Sequence, residues 1–292
     1  MRQITVVSGK GGTGKTSLAS SISVLARNSV LADCDVDAAD LYLVFDPEKI
    51  QTEEFSGGSK ASVISESCVI CGRCSEVCRY GAVIDGGDGP PSIDTTFCEG
   101  CGVCHHQCPA GAIDFSASLD GWLYRSRTRR GPMVHAELAL GRENSGKLVT
   151  LVRQRAAQWA GRDGLDLVVI DGSPGIGCPV IASLTGVDLA LMLAEPSVSG
   201  MHDLQRLLDL AGSLGVPAAV AVNRWDISPK ITGRIEDMAR SAGARPVGRI
   251  RYDDRITEAM VARKAPVEYS DQGAAKDMRA VWRRVERLLP PE

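Results

Sequence analysis

The chain has 292 residues, of which 44% are hydrophobic, and its formal net charge of −3 goes with a pI near 5.9. This composition suffices for a substantial core, and the weakly acidic balance gives no general attraction to nucleic acid. No run approaches the ~20 apolar residues that cross a bilayer, and the first residues do not have the pattern of a secretion signal. We therefore expect a cytoplasmic protein without stable membrane insertion and without a nucleic-acid partner.

The first predicted strand, an apolar run over 3–8, is followed by a glycine-rich turn and a helix predicted near 17–27. The turn, Gly9-Lys-Gly-Gly-Thr-Gly14-Lys15-Thr16, matches the P-loop template G-x4-G-K-[ST] between a strand and a helix. Its backbone N–H groups and the helix N-terminus suit phosphate oxygens. Lys15 is expected to reach the β- and γ-phosphates of ATP or ADP, and the Thr16 hydroxyl to bind Mg²⁺. The predicted nucleotide-binding residues here are Gly11, Gly12, Thr13, Gly14, Lys15, Thr16 and Ser17.

Two copies of one cysteine pattern follow the polar stretch 56–59, which we interpret as a linker. The runs are Cys68-x2-Cys71-x2-Cys74-x3-Cys78 and Cys98-x2-Cys101-x2-Cys104-x3-Cys108-Pro109. This is the spacing of a bacterial ferredoxin with two 4Fe–4S clusters, for which thiolates are suitably soft ligands. A disulfide framework would need an oxidising compartment, and a zinc ribbon normally uses two isolated Cys-x2-Cys pairs.

In such a ferredoxin the fourth cysteine of each run serves the other cluster. The resemblance therefore implies that cluster I is held by Cys68, Cys71, Cys74 and Cys108, and cluster II by Cys98, Cys101, Cys104 and Cys78. Arg79 stands where the resembled pattern has proline. This departure leaves ligation intact, and we expect it to act on the potential of cluster II.

Apolar runs and helical patterns alternate on both sides of the cysteine-rich segment. Further strands are predicted at 29–32, 166–170, 188–193, 217–222 and 246–250, and helices near 145–160, 199–214, 230–242, 254–263 and 274–289. Such alternation predicts an α/β fold, a P-loop NTPase-type mostly parallel sheet with helices on both faces and its ligand at the carboxyl ends of the strands. Residues 57–116 are predicted to be an inserted small α+β bacterial-ferredoxin-like domain that its clusters stabilise. The ATPase domain then comprises 1–56 and 117–292.

The stretch Lys10-Gly-Gly-Thr-Gly-Lys15-Thr16 resembles the deviant P-loop of the MinD/Mrp/ParA family, which includes the nitrogenase iron protein more distantly. Further motifs resemble the family in the same order along the chain. They are Asp33-Cys-Asp35-Val-Asp37 at switch I, Val168–Gly177 at the magnesium-linked strand and switch II, Glu195–Asp203, and Val222-Asn223-Arg224.

The family resemblance implies ATP hydrolysis in a nucleotide-sandwich dimer, in which Lys10 reaches the phosphates bound by the partner. It implies that Asp35 positions the attacking water, that Asp171 is linked to Mg²⁺, and that Asn223 reads the adenine. The loop 250–253 lies where relatives have a second adenine-side loop, usually with proline in place of Arg251. The partner in the dimer is either another copy of the chain or a paralogue.

Residues outside these motifs have an ordinary interpretation. Cys178 lies at the offset from Asp171 where the nitrogenase iron protein carries a ligand, but a bridging cluster needs two cysteines and only Cys34 remains. We expect both to be small buried residues. The run Arg125–Arg130 is expected to be the solvated face of a hairpin, with docking of an acidic redox partner as the alternative. The apolar stripe of the C-terminal helix, 281–289, is expected to pack on the protein's own sheet and not on a membrane.

Three classes of function fit these observations. The first is an energy-coupled redox enzyme, in which ATP binding and hydrolysis drive electron transfer through two 4Fe–4S clusters to a redox partner protein. The second is a cluster or metal carrier or assembly factor like Mrp, and the third is a MinD-like positioning ATPase whose clusters sense redox state. Eight motif cysteines favour electron transfer, because fully ligated clusters are hard to give away.

Overall fold

The computed structural model describes residues 1–139 and 145–291, which fall into two compact units. The first unit comprises Met1–Glu53, Leu123–Glu137 and 145–291. The second unit comprises Glu54–Trp122 with 138–139, and the predicted insert 57–116 lies inside it.

The strands are β1 (Arg2–Ser8), β2 (Ser29–Asp33), β3 (Glu48–Phe55), β4 (Ser59–Val63), β5 (Val83–Ile84), β6 (Ser92–Ile93), β7 (Ile113–Ala117), β8 (Gly121–Thr128), β9 (Gly131–Leu138), β10 (Leu167–Pro174), β11 (Leu189–Ala194), β12 (Ala218–Asn223) and β13 (Arg245–Ile250). The α-helices are α1 (Lys15–Leu25), α2 (Leu41–Phe45), α3 (Arg73–Val77), α4 (Val103–Gln107), α5 (Ser145–Asp163), α6 (Cys178–Leu184), α7 (Val198–Ser213), α8 (Pro229–Ser241), α9 (Arg255–Val261), α10 (Pro266–Tyr269) and α11 (Gly273–Glu286).

A nine-stranded sheet in the order β13-β12-β11-β1-β10-β2-β9-β8-β3 organises the first unit, and the strands from β13 to β9 pair in parallel. Continuous apolar sequences such as β11, buried along its whole length, fit strands that are covered on both faces. Ile4 and Val6 of β1 join α1 and α11 in one core, while Thr5 and Val7 point the other way and are also fully buried. The predicted α/β class with a mostly parallel sheet is confirmed.

Strand register brings the polar ends of three strands to one edge of the sheet. Asp171 of β10 pairs with Val6 on one side and with Asp33, the last residue of β2, on the other. The glycine-rich loop leaves β1 after Ser8 at the same edge. Because all three strands are parallel, the loop and the two aspartates meet where ligands bind in folds of this kind.

The sequence predicted a hairpin around Arg125–Arg130 but did not place its strands, β8 and β9, in the main sheet. Its turn residues are held internally: Arg129 donates to Glu268 at 2.7 Å and to the carbonyl of Val44 at 2.8 Å, and Arg130 donates to Glu268 at 2.7 Å. Arg127, Arg129 and Arg130 are exposed and Arg125 is half-buried, so the expected solvated face is present, although Arg129 and Arg130 also bind Glu268. The strand β3 and the short helices α2, α6 and α10 were also not predicted.

The C-terminal helix α11 packs on the protein's own sheet, as expected. Met278, Val281, Trp282 and Val285 are each at most 5% exposed and belong to the same core as β1. In the part of the chain that the structure describes, we find no helix long and apolar enough to cross a membrane.

The second unit repeats one small motif. Strand β4 pairs antiparallel with β7, and β5 pairs antiparallel with β6. Helices α3 and α4 each follow a left-handed glycine, Gly72 at φ 74° and Gly102 at φ 73°. A further left-handed glycine follows each helix, Gly81 at φ 64° and Gly111 at φ 60°. The two cysteine runs therefore have the same backbone course.

Candidate nucleotide and iron–sulfur sites

The glycine-rich loop is shaped by contacts that only glycine allows. Gly14, the residue before α1, has φ 90°, and a Cβ there would lie 2.5 Å from the side-chain nitrogen of Asn223. That nitrogen donates to the carbonyl of Thr13 at 2.7 Å. Asn223, assigned by resemblance to the adenine, therefore also braces the phosphate loop from the end of β12.

Lys15 lies at the centre of a carboxylate cluster. Its ammonium is 2.7 Å from Asp171 and 3.1 Å from Asp35, and the side chain is only 6% exposed. Burial alone lowers the pKa of Lys15, but the charges of Asp171 and Asp35 more than offset this and raise it. Lys15 is thus held as a cation, and it binds the other two predicted site residues of this cluster, Asp35 and Asp171.

Asp33, the neighbour of Asp171 in the sheet, is a site residue to which the sequence assigned no role. Burial and the negative charge of Asp171 raise the pKa of Asp33 well above its usual range. The pKa of Asp35 is also raised by burial, against the opposing effect of Lys15. The signal was present in the alternation Asp33-Cys-Asp35 after a buried strand, which puts both carboxylates near the end of β2.

The cluster fits a divalent cation. Two carboxylates, those of Asp35 and Asp171, bind the Lys15 ammonium, and Asp33 lies beside Asp171 in the sheet. One oxygen each of Asp33 and Asp171 is buried without a hydrogen-bond partner among the described residues. Hard oxygen ligands of this type suit Mg²⁺, which binds carboxylates and keeps several waters. Thr16 lines the same cavity as Lys15 and Asp35. Thr16 and Asp171 remain the predicted Mg²⁺ ligands, and Asp33 is a further oxygen donor beside Asp171.

A cavity of about 380 Å³ opens from this cluster across the carboxyl edge of the sheet. Its phosphate end is formed by the loop from Gly11 to Ser17, and its far end by Arg224, Arg251 and Tyr252 with part of α9. Arg251 is held by a bidentate pair with Asp277, at 2.6 and 2.9 Å. The cavity thus joins the phosphate loop and Lys15 to an aromatic ring and two arginines, groups suited to a nucleotide.

Lys10 lies outside the carboxylate cluster and is paired with Glu195. The Lys10–Glu195 distance is 2.8 Å, and Arg224 binds the other oxygen of Glu195 at 2.6 Å. The Lys10 side chain is 38% exposed. Glu195 therefore connects Lys10 of the P-loop with Arg224 at the far end of the cavity. The sequence analysis did not predict this pair of contacts.

The two cysteines outside the repeated pattern differ in exposure. Cys34 is fully buried, and burial strongly raises the pKa of its thiol. Cys178, at the start of α6, is exposed, so its predicted burial is wrong. It precedes the buried face of α6, which begins only at Val180.

The cysteines of the second unit form part of its core. Cys74 and Cys98 are buried together with Ala61, Ala82 and Ile113, and three more motif cysteines pack against them. One small cavity in this core is lined by four cysteines and by apolar side chains such as Val83 and Ile93. The four cysteines are Cys78, Cys98, Cys101 and Cys104.

Backbone N–H groups donate to the sulfurs of two cysteines that end the two runs, Cys78 and Cys108. Burial by itself raises the pKa of the Cys78 thiol, but N–H groups of Tyr80, Ala82, Val83 and Gly81 outweigh burial and lower it. In the other run, the N–H of Ala112 donates to the sulfur of Cys108 at 3.2 Å. Such donors stabilise thiolate, the form that binds metal.

The cysteine set fits an iron–sulfur cluster by the chemistry of its donors. Soft sulfur ligands converge on an apolar cavity supplied with N–H donors, which is the environment that tunes such clusters. Within 1–139 and 145–291, no three Cys, His, Asp or Glu side chains are already arranged to hold a metal ion, either here or in the aspartate cluster around Lys15.

Known families and structures agree with this geometry. The family model described as CobQ/CobB/MinD/ParA nucleotide binding domain matches residues 4–267, and the chain belongs to this family. An uncharacterised protein of Methanocaldococcus jannaschii is 33% identical over 225 residues, 76% of this chain and 78% of its own length. A second from the same organism is 25% identical over 275 residues, 93% of each chain.

The solved structure of the cell division ATPase MinD from Pyrococcus furiosus superposes with a TM-score of 0.59 at 17% identity, covering 98% of this chain and 99% of that one. A segment of 51 residues is 37% identical to an uncharacterised ferredoxin of M. jannaschii and covers 16% of this chain and 66% of that protein. The chain is thus a MinD/ParA-type nucleotide-binding protein with a ferredoxin-like segment.

Proposed function

We propose that the protein is an iron–sulfur ATPase that couples ATP binding and hydrolysis to electron transfer through two 4Fe–4S clusters toward a partner protein. One observation carries the proposal. In a chain of a nucleotide-binding family, Cys78 from the first cysteine run lines one cavity with Cys98, Cys101 and Cys104 from the second. That exchange of the fourth cysteine is the ligand pattern of two-cluster ferredoxins.

In the nucleotide site, the contacts of Lys15 support a defined order of events. Phosphate oxygens bound by Lys15 compete with Asp35 and Asp171 for the same three ammonium hydrogens. Binding of the β- and γ-phosphates therefore loosens the Lys15–Asp35 pair, and Asp35 becomes available to accept a hydrogen bond from the attacking water. Held by Thr16 and Asp171, Mg²⁺ would supply charge neutralisation for the phosphates.

The dimer is the second part of the proposal. Lys10 is half-exposed beside the phosphate loop and pairs with a single glutamate, so its ammonium can exchange Glu195 for phosphates bound by a second subunit. The second subunit is either another copy of the chain or a paralogue. The two relatives from one organism support the second possibility, since similar chains coexist in one cell.

Electron transfer is favoured over cluster delivery by the burial of the ligands. Two of the motif cysteines are buried and four are half-buried, whereas only Cys71 and Cys101 are exposed. A bound 4Fe–4S cluster supplies one-electron chemistry at low potential. Side chains that enclose a cluster on most sides retain it and leave one edge near the surface, which suits passage of an electron.

The test is anaerobic reconstitution followed by turnover with ATP. We expect about eight iron and eight sulfide per chain, four for each cluster, and ATP hydrolysis that Asp35→Asn slows with little change in ATP affinity. Asp37→Asn, a matched change of the next aspartate of the motif, should leave hydrolysis intact. Iron should remain bound through many turnovers in the presence of an apo-ferredoxin. Zinc in place of iron would contradict the redox proposal, and ATP-dependent loss of iron to the apo-ferredoxin would favour the carrier.

A further inference from the structure

Strand β4 lies directly against the ligand loop that begins at Cys98. A Cβ on Gly100 would come within 2.2 Å of the carbonyl oxygen of Ser59, so this loop and the strand touch through their backbones. The ammonium of Lys60 donates a hydrogen bond to the carbonyl of Cys98. The next residue, Ala61, is 1% exposed and lines the four-cysteine cavity. A positive charge is thereby fixed on the loop that carries three of the four cavity cysteines.

The internal repeat shows that this charge belongs to one half only. Adding the offset from Cys68 to Cys98 to position 60 gives Pro90, and adding it to Arg79 gives Pro109. Both cations therefore have prolines as counterparts. Arg79 directly follows Cys78, which lines the same cavity as Cys98. Neither proline can carry a charge, so the repeat is close to symmetric in backbone and asymmetric in electrostatics.

Other charged side chains near the two cysteine runs have a weaker electrostatic effect than Lys60. Glu99 lines the cavity but is exposed, and water screens an exposed carboxylate. Lys60 is partly buried and held by a hydrogen bond, so its field is screened less. In the other run, Arg73 is half-exposed and is neutralised by Glu76 at 3.1 Å.

We propose that Lys60 raises the reduction potential of the cluster held by Cys98, Cys101, Cys104 and Cys78 above that of the other cluster. The inference rests on the proposed two-cluster function and adds the direction in which an electron moves between the clusters. Reduction adds one negative charge, and a nearby fixed cation stabilises that charge. When a low-potential donor gives the protein one electron, that electron therefore ends on this cluster. If it enters through the other cluster, it moves on, and that cluster is oxidised again.

The experiment is an EPR-monitored reductive titration with dithionite of reconstituted wild type, Lys60→Met and Lys60→Arg. Methionine keeps the length and the apolar stem of lysine and removes the charge. We expect Lys60→Met to retain its iron. At a fixed potential, the ratio of reduced to oxidised protein at one cluster should fall about tenfold. This corresponds to a reduction potential lowered by about 59 mV for a one-electron couple. The other cluster should not change, and Lys60→Arg should behave as wild type.

Ligand variants assign the signals. The shifted signal should be the one that Cys101→Ser alters and Cys68→Ser leaves unchanged. In wild type, the first electron should appear in that same signal, which tests the inference even if Lys60→Met loses iron. Two intact clusters with unchanged potentials in Lys60→Met, or a shift in the cluster that Cys68→Ser alters, would overturn the role of Lys60 and leave the proposed function standing. Failure of wild type to hold two clusters would overturn the proposed function itself.

Discussion

The two units of this chain reach a defined structure by different means. One core cluster of the first unit holds 29 buried apolar residues, and charges that already pair with one another line its ligand cavity. The corresponding cluster described in the second unit holds five buried residues, of which two are cysteines assigned to metal. We therefore expect the polypeptide core alone to sustain the first unit, and the second unit to depend on bonds to iron if it holds the proposed clusters.

The strongest test of this contrast is removal of iron. Cys74→Ser replaces a buried sulfur at the centre of the second unit, and we expect loss of cluster I and unfolding of this unit, seen as rapid proteolysis within 57–116. Nucleotide binding by the first unit should persist, because none of its cavity residues belongs to the second unit. The matched control is Cys178→Ser, which changes an exposed cysteine and should leave iron content unchanged. A second unit that stays protected from protease without iron would contradict the contrast.

The next largest effect is expected at Lys15. Lys15→Ala leaves buried carboxylates unpaired, so we expect about 3–5 kcal/mol of lost stability and at least about 30-fold weaker ATP binding. Denaturant unfolding of the first unit and calorimetric titration with ATP measure the two effects. Lys10→Ala removes a half-exposed charge, so its stability should change by less than about 1 kcal/mol. Equal destabilisation by the two variants would show that the carboxylate cluster is not what Lys15 stabilises.

The first unit should also respond to pH through His135. Burial lowers its pKa to about 4, and its ring is 2.9 Å from the Ser126 hydroxyl. The unfolded chain takes up a proton near pH 6.5 and the folded chain only near 4, so stability falls as the pH drops between these values, by about 3 kcal/mol. His135→Gln should flatten this dependence, whereas His202→Gln, at an exposed position, should not. Identical pH profiles for wild type and His135→Gln would contradict the assignment.

The smallest expected effect concerns Glu195, which holds Lys10 within its own subunit. Glu195→Gln weakens that pair, and we expect the ATP-dependent dimer to form at up to about fivefold lower protein concentration. Analytical ultracentrifugation with a non-hydrolysable ATP analogue measures the change. Glu236→Gln is the matched control, because Glu236 is equally buried and pairs with Arg249 away from the cavity. A weaker dimer in Glu195→Gln would show that Glu195 supports the interface and does not compete with it.

The sequence predicted the features that local pattern determines. Each predicted strand of the first unit is present, because a buried parallel strand is a continuous apolar run between turn residues. The hairpin around Arg125–Arg130 was expected, but its strands were not assigned to the main sheet, since they mix polar and apolar residues and the turn is fixed by Glu268, far away in sequence. The ion pairs of Lys15 with Asp35 and Asp171, and of Lys10 with Glu195, could not be predicted either. They depend on the register of the strands and on the conformation of the loops.

The direct test of the account is whether the nucleotide and the clusters are coupled. The chain leaves the first unit through β3 and returns through β8, and β9 then pairs with β2, whose last residue is Asp33 of the carboxylate cluster. This connection supports communication between nucleotide state and cluster state. If the two states exchange free energy, ATP and ADP forms must differ in cluster potential, and oxidised and reduced forms must differ equally in ATP affinity.

The measurement is a redox titration of both clusters by EPR, with ADP, with a non-hydrolysable ATP analogue, and with neither. We predict that at least one potential differs between the ATP-analogue and ADP forms, and that calorimetric ATP affinity of reduced and oxidised protein differs by the matching factor. A shift of about 59 mV corresponds to about tenfold in affinity. Identical potentials in all three conditions would contradict coupled electron transfer.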